Sequence, residues 1–314
     1  MKKFFFGLFI ALSAAVVFTA CDDDDDNTEL KNIVELAQGD ANLSTLVAAV
    51  QRAGLVDELS GTTQLTVFAP TNQAFSDLLT ALGYTKLEDV PVAALTDILL
   101  NHVVSGEVRS TALTTGYVET LLPFGSTNSF INNYVDLSSG VKIGGSQVIT
   151  ADLDASNGVV HVINKVIVPP TVVNQALNNP NFSTLVAALT RSDLGVDYVS
   201  ILSGAGPFTV FAPTNAAFAS LLTELGVSSL NDISADVLNK VLQYHVVSGS
   251  NVLSTQLTDE QVVPTFLGQS LTIDLTGGAK IKDAAGRVSN IIATDVQGAN
   301  GVVHAIDKVI LPQL

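Results

Sequence analysis

The chain has 314 residues and a net charge of −16, with no tryptophan, one methionine and one cysteine. Its length predicts about two domains of ordinary size. The acidic charge argues against binding to nucleic acid or to anionic membrane surfaces. We therefore expect no nucleic-acid partner, and cores built from leucine, valine, isoleucine, alanine and phenylalanine.

The N-terminal segment 1–20 has the pattern of a secretory signal. Two lysines precede an apolar run from Phe4 to Phe18, and small residues then lead to Cys21. This end is similar to a bacterial lipobox, in which the cysteine thiol receives diacylglycerol. We predict a lipoprotein signal peptide at 1–20 and lipidation at Cys21, so that the lipid alone holds the protein at a membrane. The alternative is an ordinary cleaved signal with an incidental cysteine.

An acidic tether follows at 21–28. Five adjacent carboxylates, Asp22 to Asp26, repel one another and predict an extended, disordered segment. One interpretation is a solvated spacer. The other is a sorting signal, because acidic residues at this place resemble the surface-export tag of Bacteroidetes lipoproteins. We expect a cell-envelope location, lipid-anchored in the outer membrane and surface-exposed.

The first half of the remaining chain is mostly helical in pattern, and the second half is mostly strand-like. Helical spacing or capping signals occur at Leu30 to Ala37, at Asn42 to Ala53 with Asn42 as the cap, at Thr71 to about Leu82, and at Leu87 to Asn101. Strand patterns occur at Leu65 to Ala69, Val118 to Leu122, Ser129 to Leu137, Val141 to Ile143, Val148 to Asp152 and Val159 to Val168. Without βαβ alternation, this order predicts an α+β fold.

The whole pattern occurs twice. Three segments return 143 residues later, and the first differs at only one of ten positions: Thr66–Phe75 as Thr209–Phe218, Leu99–Gly106 as Leu242–Gly249, and Asn157–Ile167 as Asn300–Ile310. A period this long indicates duplicated domains rather than a solenoid. We predict domains at 29–169 and 170–314.

A linker joins the copies, and an insertion makes them unequal in length. Pro169-Pro170-Thr171 is a short, stiff linker, which predicts a preferred relative orientation of the domains. Earlier segments align at an offset of 139, so the second copy carries four extra residues, which we place around Arg191 to Leu202.

The repeated motifs also resemble a known family. Thr-Val-Phe-Ala-Pro-Thr-Asn, an Asn-His or Tyr-His step, and Asn-Gly-Val-Val-His are similar to the fasciclin (FAS1) domain, here from about residue 29 to residue 314. The resemblance implies that each domain is a β-sandwich wedge with helices packed over it.

The four histidines form two pairs at the repeat offset: His102 and His161, then His245 and His304. A zinc site needs about three or four converging ligands, and neither copy offers a third histidine or a second cysteine. No Gly-x-Ser-x-Gly elbow accompanies them. We interpret the histidines as buried and hydrogen-bonded, and expect no catalytic residues, no metal and no cofactor.

The resemblance also implies two ligand-binding features. Adhesive animal fasciclin domains use a Tyr-His motif flanked by branched aliphatic residues, which matches Tyr244 and His245, whereas the first copy has Asn101. They also use an Asp-Ile step before Asn-Gly, which matches the pairs Asp152-Leu153 and Asp295-Val296. A calcium loop starting at Asp152 lacks glycine and glutamate where an EF-hand requires them.

These observations predict a non-enzymatic cell-surface lipoprotein. Its function would be adhesion, or recognition of an extracellular protein or matrix component. The alternative is an accessory glycan-binding lipoprotein that serves polysaccharide uptake. Five tyrosines and no tryptophan offer few aromatic platforms for sugars, which favours a protein partner.

Overall fold

The computed structural model describes residues 30–314. The predicted signal peptide, the lipidation site Cys21 and the acidic tether lie outside the described residues. Within residues 30–314, no helix is both long enough and apolar enough to cross a lipid bilayer.

The first domain begins with helices and ends with strands. Its helices are α1 (Ile33–Gln38), α2 (Ser44–Ala53), α3 (Val56–Ser60), α4 (Asn72–Leu82) and α5 (Val92–Leu100). Its strands are β1 (Leu65–Pro70), β2 (Val103–Ser105), β3 (Gly116–Pro123), β4 (Phe130–Asp136), β5 (Lys142–Ile143), β6 (Ser146–Ala155) and β7 (Gly158–Ile163).

The second domain repeats this order. Its helices are α6 (Val172–Asn178), α7 (Ser183–Leu189), α8 (Tyr198–Leu202), α9 (Asn215–Leu225) and α10 (Ala235–Tyr244). Its strands are β8 (Phe208–Pro213), β9 (Val246–Ser248), β10 (Val262–Pro264), β11 (Ser270–Asp274), β12 (Lys280–Lys282), β13 (Val288–Gly298) and β14 (Gly301–Ile306). The predicted insertion forms the connection between α7 and α8.

Each domain contains one seven-stranded sheet. The order is β2-β1-β7-β6-β5-β4-β3 in the first domain and β10-β11-β12-β13-β14-β8-β9 in the second. The central pairs β1–β7 and β8–β14 are parallel, and the other pairs are antiparallel. In the first domain the edge strands β2 and β3 approach each other, so the sheet curls over itself.

Each domain has two apolar cores. One lies between the helices and the sheet, and in the first domain includes Leu46, Phe75 and Val160. The other lies inside the curled sheet, where Phe68 of β1 packs with Val135 of β4. The predicted α+β fold is confirmed, and the curled sheet produces the sandwich-like interior.

Some local predictions were wrong in detail. Asn42 is not the cap of α2: Asp40 accepts the backbone N–H of Asn42 at 2.8 Å and starts a short 3-10 turn, and α2 begins at Ser44. The sequence patterns also missed the short elements α3 and β2. Thr71 does cap α4, since its hydroxyl accepts from the Ala74 N–H at 3.2 Å.

The two domains contact each other beside the linker. Asn132 of β4 accepts two hydrogen bonds from the second domain. Gln175 Nε2 donates to its main-chain oxygen at 2.7 Å, and the Gln297 N–H donates to its side-chain oxygen at 2.7 Å. Tyr117 packs against the core of the second domain, and its hydroxyl accepts Asn179 Nδ2 at 3.0 Å. These contacts give the domains a defined relative arrangement.

Candidate functional site

His102 and His245 lie just beyond the C-terminal ends of helices α5 and α10 and are buried. His102 Nδ1 donates to the Ile98 carbonyl at 2.7 Å, and its Nε2 accepts the Ile167 N–H at 2.8 Å. Because one nitrogen faces a carbonyl and the other faces an N–H, a single neutral tautomer satisfies both. Burial lowers the His102 pKa to about 4.

The second copy has the same geometry. His245 Nδ1 donates to the Val241 carbonyl at 2.7 Å, and its Nε2 accepts the Ile310 N–H at 3.1 Å. Burial lowers its pKa to about 4 as well. Each ring therefore joins the end of a helix to the segment that follows the last strand of its domain.

His161 and His304 are also buried but use the opposite tautomer. Their Nε2 atoms donate to the carbonyls of Val108 and Val252, both at 2.9 Å. Their Nδ1 atoms accept the backbone N–H of Asp152 at 3.1 Å and of Asp295 at 3.2 Å. Burial lowers the pKa of His304.

Asp152 and Asp295 have left-handed backbones, with φ of 59° in both cases. Each lies in a bulge, where the register of β6 against β7, or of β13 against β14, shifts. Few residues other than glycine adopt this conformation, so it is held by neighbouring contacts. The histidine Nδ1 supplies one contact, because it accepts the aspartate N–H.

Ser110 and Ser254, which no sequence motif indicates, supply the other contact. The Ser110 N–H donates to Asp152 at 2.8 Å, the Ser254 N–H donates to Asp295 at 2.7 Å, and both hydroxyls also donate to the same carboxylates. The Ser110 hydroxyl and N–H lower the Asp152 pKa. Each copy has this serine, but it lies outside the three repeated segments.

The serine, aspartate and histidine do not form a nucleophilic triad. A triad needs the serine hydroxyl to donate to histidine, and the carboxylate to orient that histidine. Here the serine donates to the carboxylate, and His161 Nε2 donates to a main-chain carbonyl. The cluster therefore holds a loop and a bulge in place and contains no activated nucleophile. Within residues 30–314, no three histidine, cysteine, aspartate or glutamate side chains are grouped to hold a metal ion.

Tyr244 is fully buried, like its neighbour His245. Its hydroxyl donates to the Ser270 carbonyl at 2.8 Å and accepts the Ala284 N–H at 2.9 Å. The predicted ligand motif Tyr244-His245 therefore presents neither side chain at the surface. In the first copy Asn101 replaces the tyrosine, and its Nδ2 donates to the Ile167 carbonyl at 2.9 Å.

The other predicted ligand residues are more accessible. The side chain of Asp152 is 29% exposed, and Leu153 and Asp295 are half-buried, whereas Val296 is buried. The structure thus brings each aspartate to a partly open position on a bulge. It does not bring either aspartate together with Tyr244.

One difference between the bulges has a structural explanation. In the first domain Arg109 joins Glu107 at 2.8 Å and Asp154 at 2.6 Å in an exposed ion cluster. In the second domain Asn251 and Gln297 take the places of the two acids and exchange amide hydrogen bonds at 3.0 and 3.1 Å. Gln297 is buried under the first domain, where unpaired carboxylates would lose their hydration.

Comparison with known proteins gives consistent matches. The family profile described as "Fasciclin domain" matches residues 41–169 and 180–312. Protein sll1483 of Synechocystis sp. is 43% identical over 146 residues, which cover 46% of this chain and 74% of that protein. Transforming growth factor-beta-induced protein ig-h3 of Sus scrofa is 28% identical over 289 residues. That match covers 90% of this chain and 40% of ig-h3, so the chain spans less than half of that relative.

A solved structure has a similar architecture across both domains. It is a FAS1 domain pair from the insect cell adhesion molecule fasciclin I, with a TM-score of 0.50 and 22% sequence identity. The match covers 86% of this chain and 97% of that chain. At this identity the likeness concerns the fold, and it agrees with the two seven-stranded domains described above.

Proposed function

Because the chain belongs to the fasciclin domain family and carries two copies of the domain in tandem, we propose that it is a non-enzymatic cell-surface lipoprotein that binds an extracellular protein or matrix component. The observation that carries this proposal is the pair of fasciclin domain matches at residues 41–169 and 180–312, in a tandem arrangement that aligns with ig-h3 over 90% of this chain. The sequence features of residues 1–28 support the lipid anchor, and Asp22 to Asp26 would hold the first domain away from the membrane.

The bulged strands β6 and β13 form the surface that we propose for binding the partner. Beside the partly open aspartates, Ile149 on β6 and Ile292 on β13 are 54% and 57% exposed. These isoleucines occupy the same position in both copies, three residues before Asp152 and Asp295. An exposed aliphatic side chain next to a fixed carboxylate gives apolar contact area together with polar specificity. Two such surfaces in one chain allow bivalent binding.

A binding screen tests the proposal. The mature chain is immobilised and exposed to extracellular matrix proteins and glycans in parallel. We expect a matrix protein to bind, and Ile149→Ser combined with Ile292→Ser to weaken binding at least about tenfold. The matched control is Leu82→Ser with Leu225→Ser, since these leucines are another repeated, exposed pair at 49% each. Equal losses in both double variants would contradict the proposed surface.

The same screen tests the glycan-binding alternative. Glycan sites usually need exposed aromatic side chains, and within residues 30–314 Phe266 is the one aromatic among the large exposed apolar residues. This scarcity supports a protein partner. Binding to a polysaccharide alone would favour the alternative.

A further inference from the structure

A cleft of about 380 Å³ lies beside the linker at the domain junction, lined by the first domain and by Ala299 of the second. Sites for small molecules commonly have volumes of about 300–1,000 Å³ and often occur at domain interfaces. None of the serine, aspartate and histidine residues at the two bulges lines the cleft. Its lining residues come from α5, β3, β4, the β3–β4 loop, the linker and the β13–β14 turn: Asp97, Leu122, Pro123, Phe124, Gly125, Ile131, Pro169 and Ala299.

The walls of the cleft combine apolar surface with one carboxylate. Leu122 and Ile131 are buried side chains, and Phe124 is half-buried. Asp97 is the one ionisable residue in the lining. Asp97 is exposed, its carboxylate has no hydrogen-bond or salt-bridge partner among residues 30–314, and desolvation by the neighbouring cleft walls raises its pKa. An unpaired carboxylate beside an apolar wall can accept an added cation, which favours its charged form.

The carboxylate is specific to the first domain. The position equivalent to Asp97 in the second domain is Lys240, which pairs with Asp236 at 2.9 Å. The equivalent of Asp236 is Ala93, so no similar pair forms in the first domain. The unpaired acid therefore occurs on the copy whose α5 borders the cleft.

Hydrogen bonds beside the cleft hold the second domain against the linker and the first domain. The Ala299 N–H donates to the Pro170 carbonyl at 2.7 Å, and Gln175 of the second domain donates to Asn132 of the first at 2.7 Å. A site that is already assembled loses less conformational entropy when a ligand binds. The net charge of −16 also raises the local concentration of cations.

We propose that this interdomain cleft binds a small organic cation with an apolar body, such as an arylalkyl ammonium compound. The ammonium group contacts the Asp97 carboxylate, and the apolar body packs against Leu122, Pro123 and Phe124. Phe124 can add a cation–π contribution. This site is independent of the partner surface on the bulges.

Titration with phenethylammonium tests the site, with neutral phenethyl alcohol as the matched compound. Calorimetry on the full chain should show one cation bound, with amide shift changes at Gly125 and Ala299. We expect Asp97→Asn to weaken the cation about fivefold and to leave the alcohol unchanged. Phe124→Ala should weaken both compounds.

Asp57→Asn is the control, because Asp57 is an exposed acid on α3 outside the cleft lining. It should leave the affinity unchanged. The proposal is overturned if no cation binds, if alcohol and cation bind equally well to the wild-type chain, or if Asp57→Asn and Asp97→Asn cause the same loss.

Discussion

At the scale of single residues, the histidines are distinguished by which ring nitrogen carries the proton. In His102 and His245 it is Nδ1, which faces a helix carbonyl, and in His161 and His304 it is Nε2, which faces a loop carbonyl. In all four rings the remaining nitrogen accepts a main-chain N–H. A protonated ring would lose that second bond, so the fold requires neutral imidazole.

This requirement predicts a stability that depends on pH. His102 and His245 have pKa values of about 4 when folded, below the ordinary value of 6.5. The unfolded chain therefore binds more protons between about pH 6.5 and pH 4. Each domain should keep this contribution above pH 6.5 and lose about 3 kcal/mol as the pH falls to 4.

Urea unfolding between pH 4.5 and pH 7.5 measures this effect. His245→Gln should lower the stability of the second domain at pH 7 and reduce its pH dependence, because the variant residue does not titrate. The comparison separates histidine from the carboxylates, which titrate in both proteins. A wild-type stability that stays constant down to pH 4.5 would contradict the assignment.

Gly158 occupies a position that has no room for a side chain. Its φ is +142°, and an added Cβ would lie 1.8 Å from the Leu65 carbonyl oxygen of the parallel partner strand. We expect Gly158→Ala to destabilise the first domain by at least about 3 kcal/mol, because main-chain atoms would have to move. Gly54→Ala is the control: φ is +71° with no atom within 4 Å, and the expected cost is about 1 kcal/mol. Thermal unfolding of both variants tests the difference.

At the scale of elements, the end of the long helix before β2 or β9 is tied to the sheet in different ways in the two copies. In the second domain, Tyr244 connects α10 to β11 and to the segment after β12. In the first domain, Asn101 connects α5 to Ile167 and to Asn133 of β4. The same junction is therefore built with a large ring in one copy and with paired amides in the other.

Replacing the tyrosine hydroxyl tests this connection. Tyr244→Phe keeps the ring but removes the part-buried hydrogen bonds to the Ala284 N–H and the Ser270 carbonyl, at an expected cost of about 1–3 kcal/mol for the two together. Tyr134→Phe is the matched control, since that hydroxyl makes no hydrogen bond among residues 30–314. Chemical denaturation of both variants measures the costs. Equal costs, or partner binding lost in folded Tyr244→Phe, would oppose a purely structural role.

At the scale of the whole molecule, the domains share a polar and aromatic contact. Gln175 is fully buried, and Tyr117 and Tyr134 form an edge-to-face pair with ring centroids 5.1 Å apart. Tyr117 extends this pair onto the core of the second domain. The second domain therefore gains burial from the first, although each domain has its own cores.

This contact makes the stability of the second domain depend on the first. Residues 170–314 expressed alone should unfold cooperatively, because they hold a complete set of motifs, but at a lower temperature than in the full chain. In the full chain, Tyr117→Ala should lower the melting temperature of the second domain, and Tyr117→Phe should lower it less. Calorimetry measures both. Identical melting temperatures for the isolated and linked domain would show that the contact adds no stability.

Attachment to the membrane is predicted to depend on Cys21. Replacement of Cys21 by Ala should release the protein into the soluble fraction, because the thiol is the proposed point of acylation. Firm anchoring needs more than one acyl chain, so mass spectrometry of the mature N-terminus should find several. An unmodified Cys21, or a mature N-terminus at another residue, would contradict the prediction.

The sequence by itself determined the duplication, the α+β class, the family and the cap at Thr71, because these depend on repeats and on neighbours close in the chain. The tertiary structure alone decided the parallel pairing of β1 with β7, the left-handed Asp152 and the burial of Tyr244. Ser110 illustrates the reason, since its partner Asp152 lies 42 residues away and only the folded sheet brings them together. Likewise, the second copy has Gln297 where the first has Asp154, because that position is buried against the other domain. Local sequence patterns do not encode this burial.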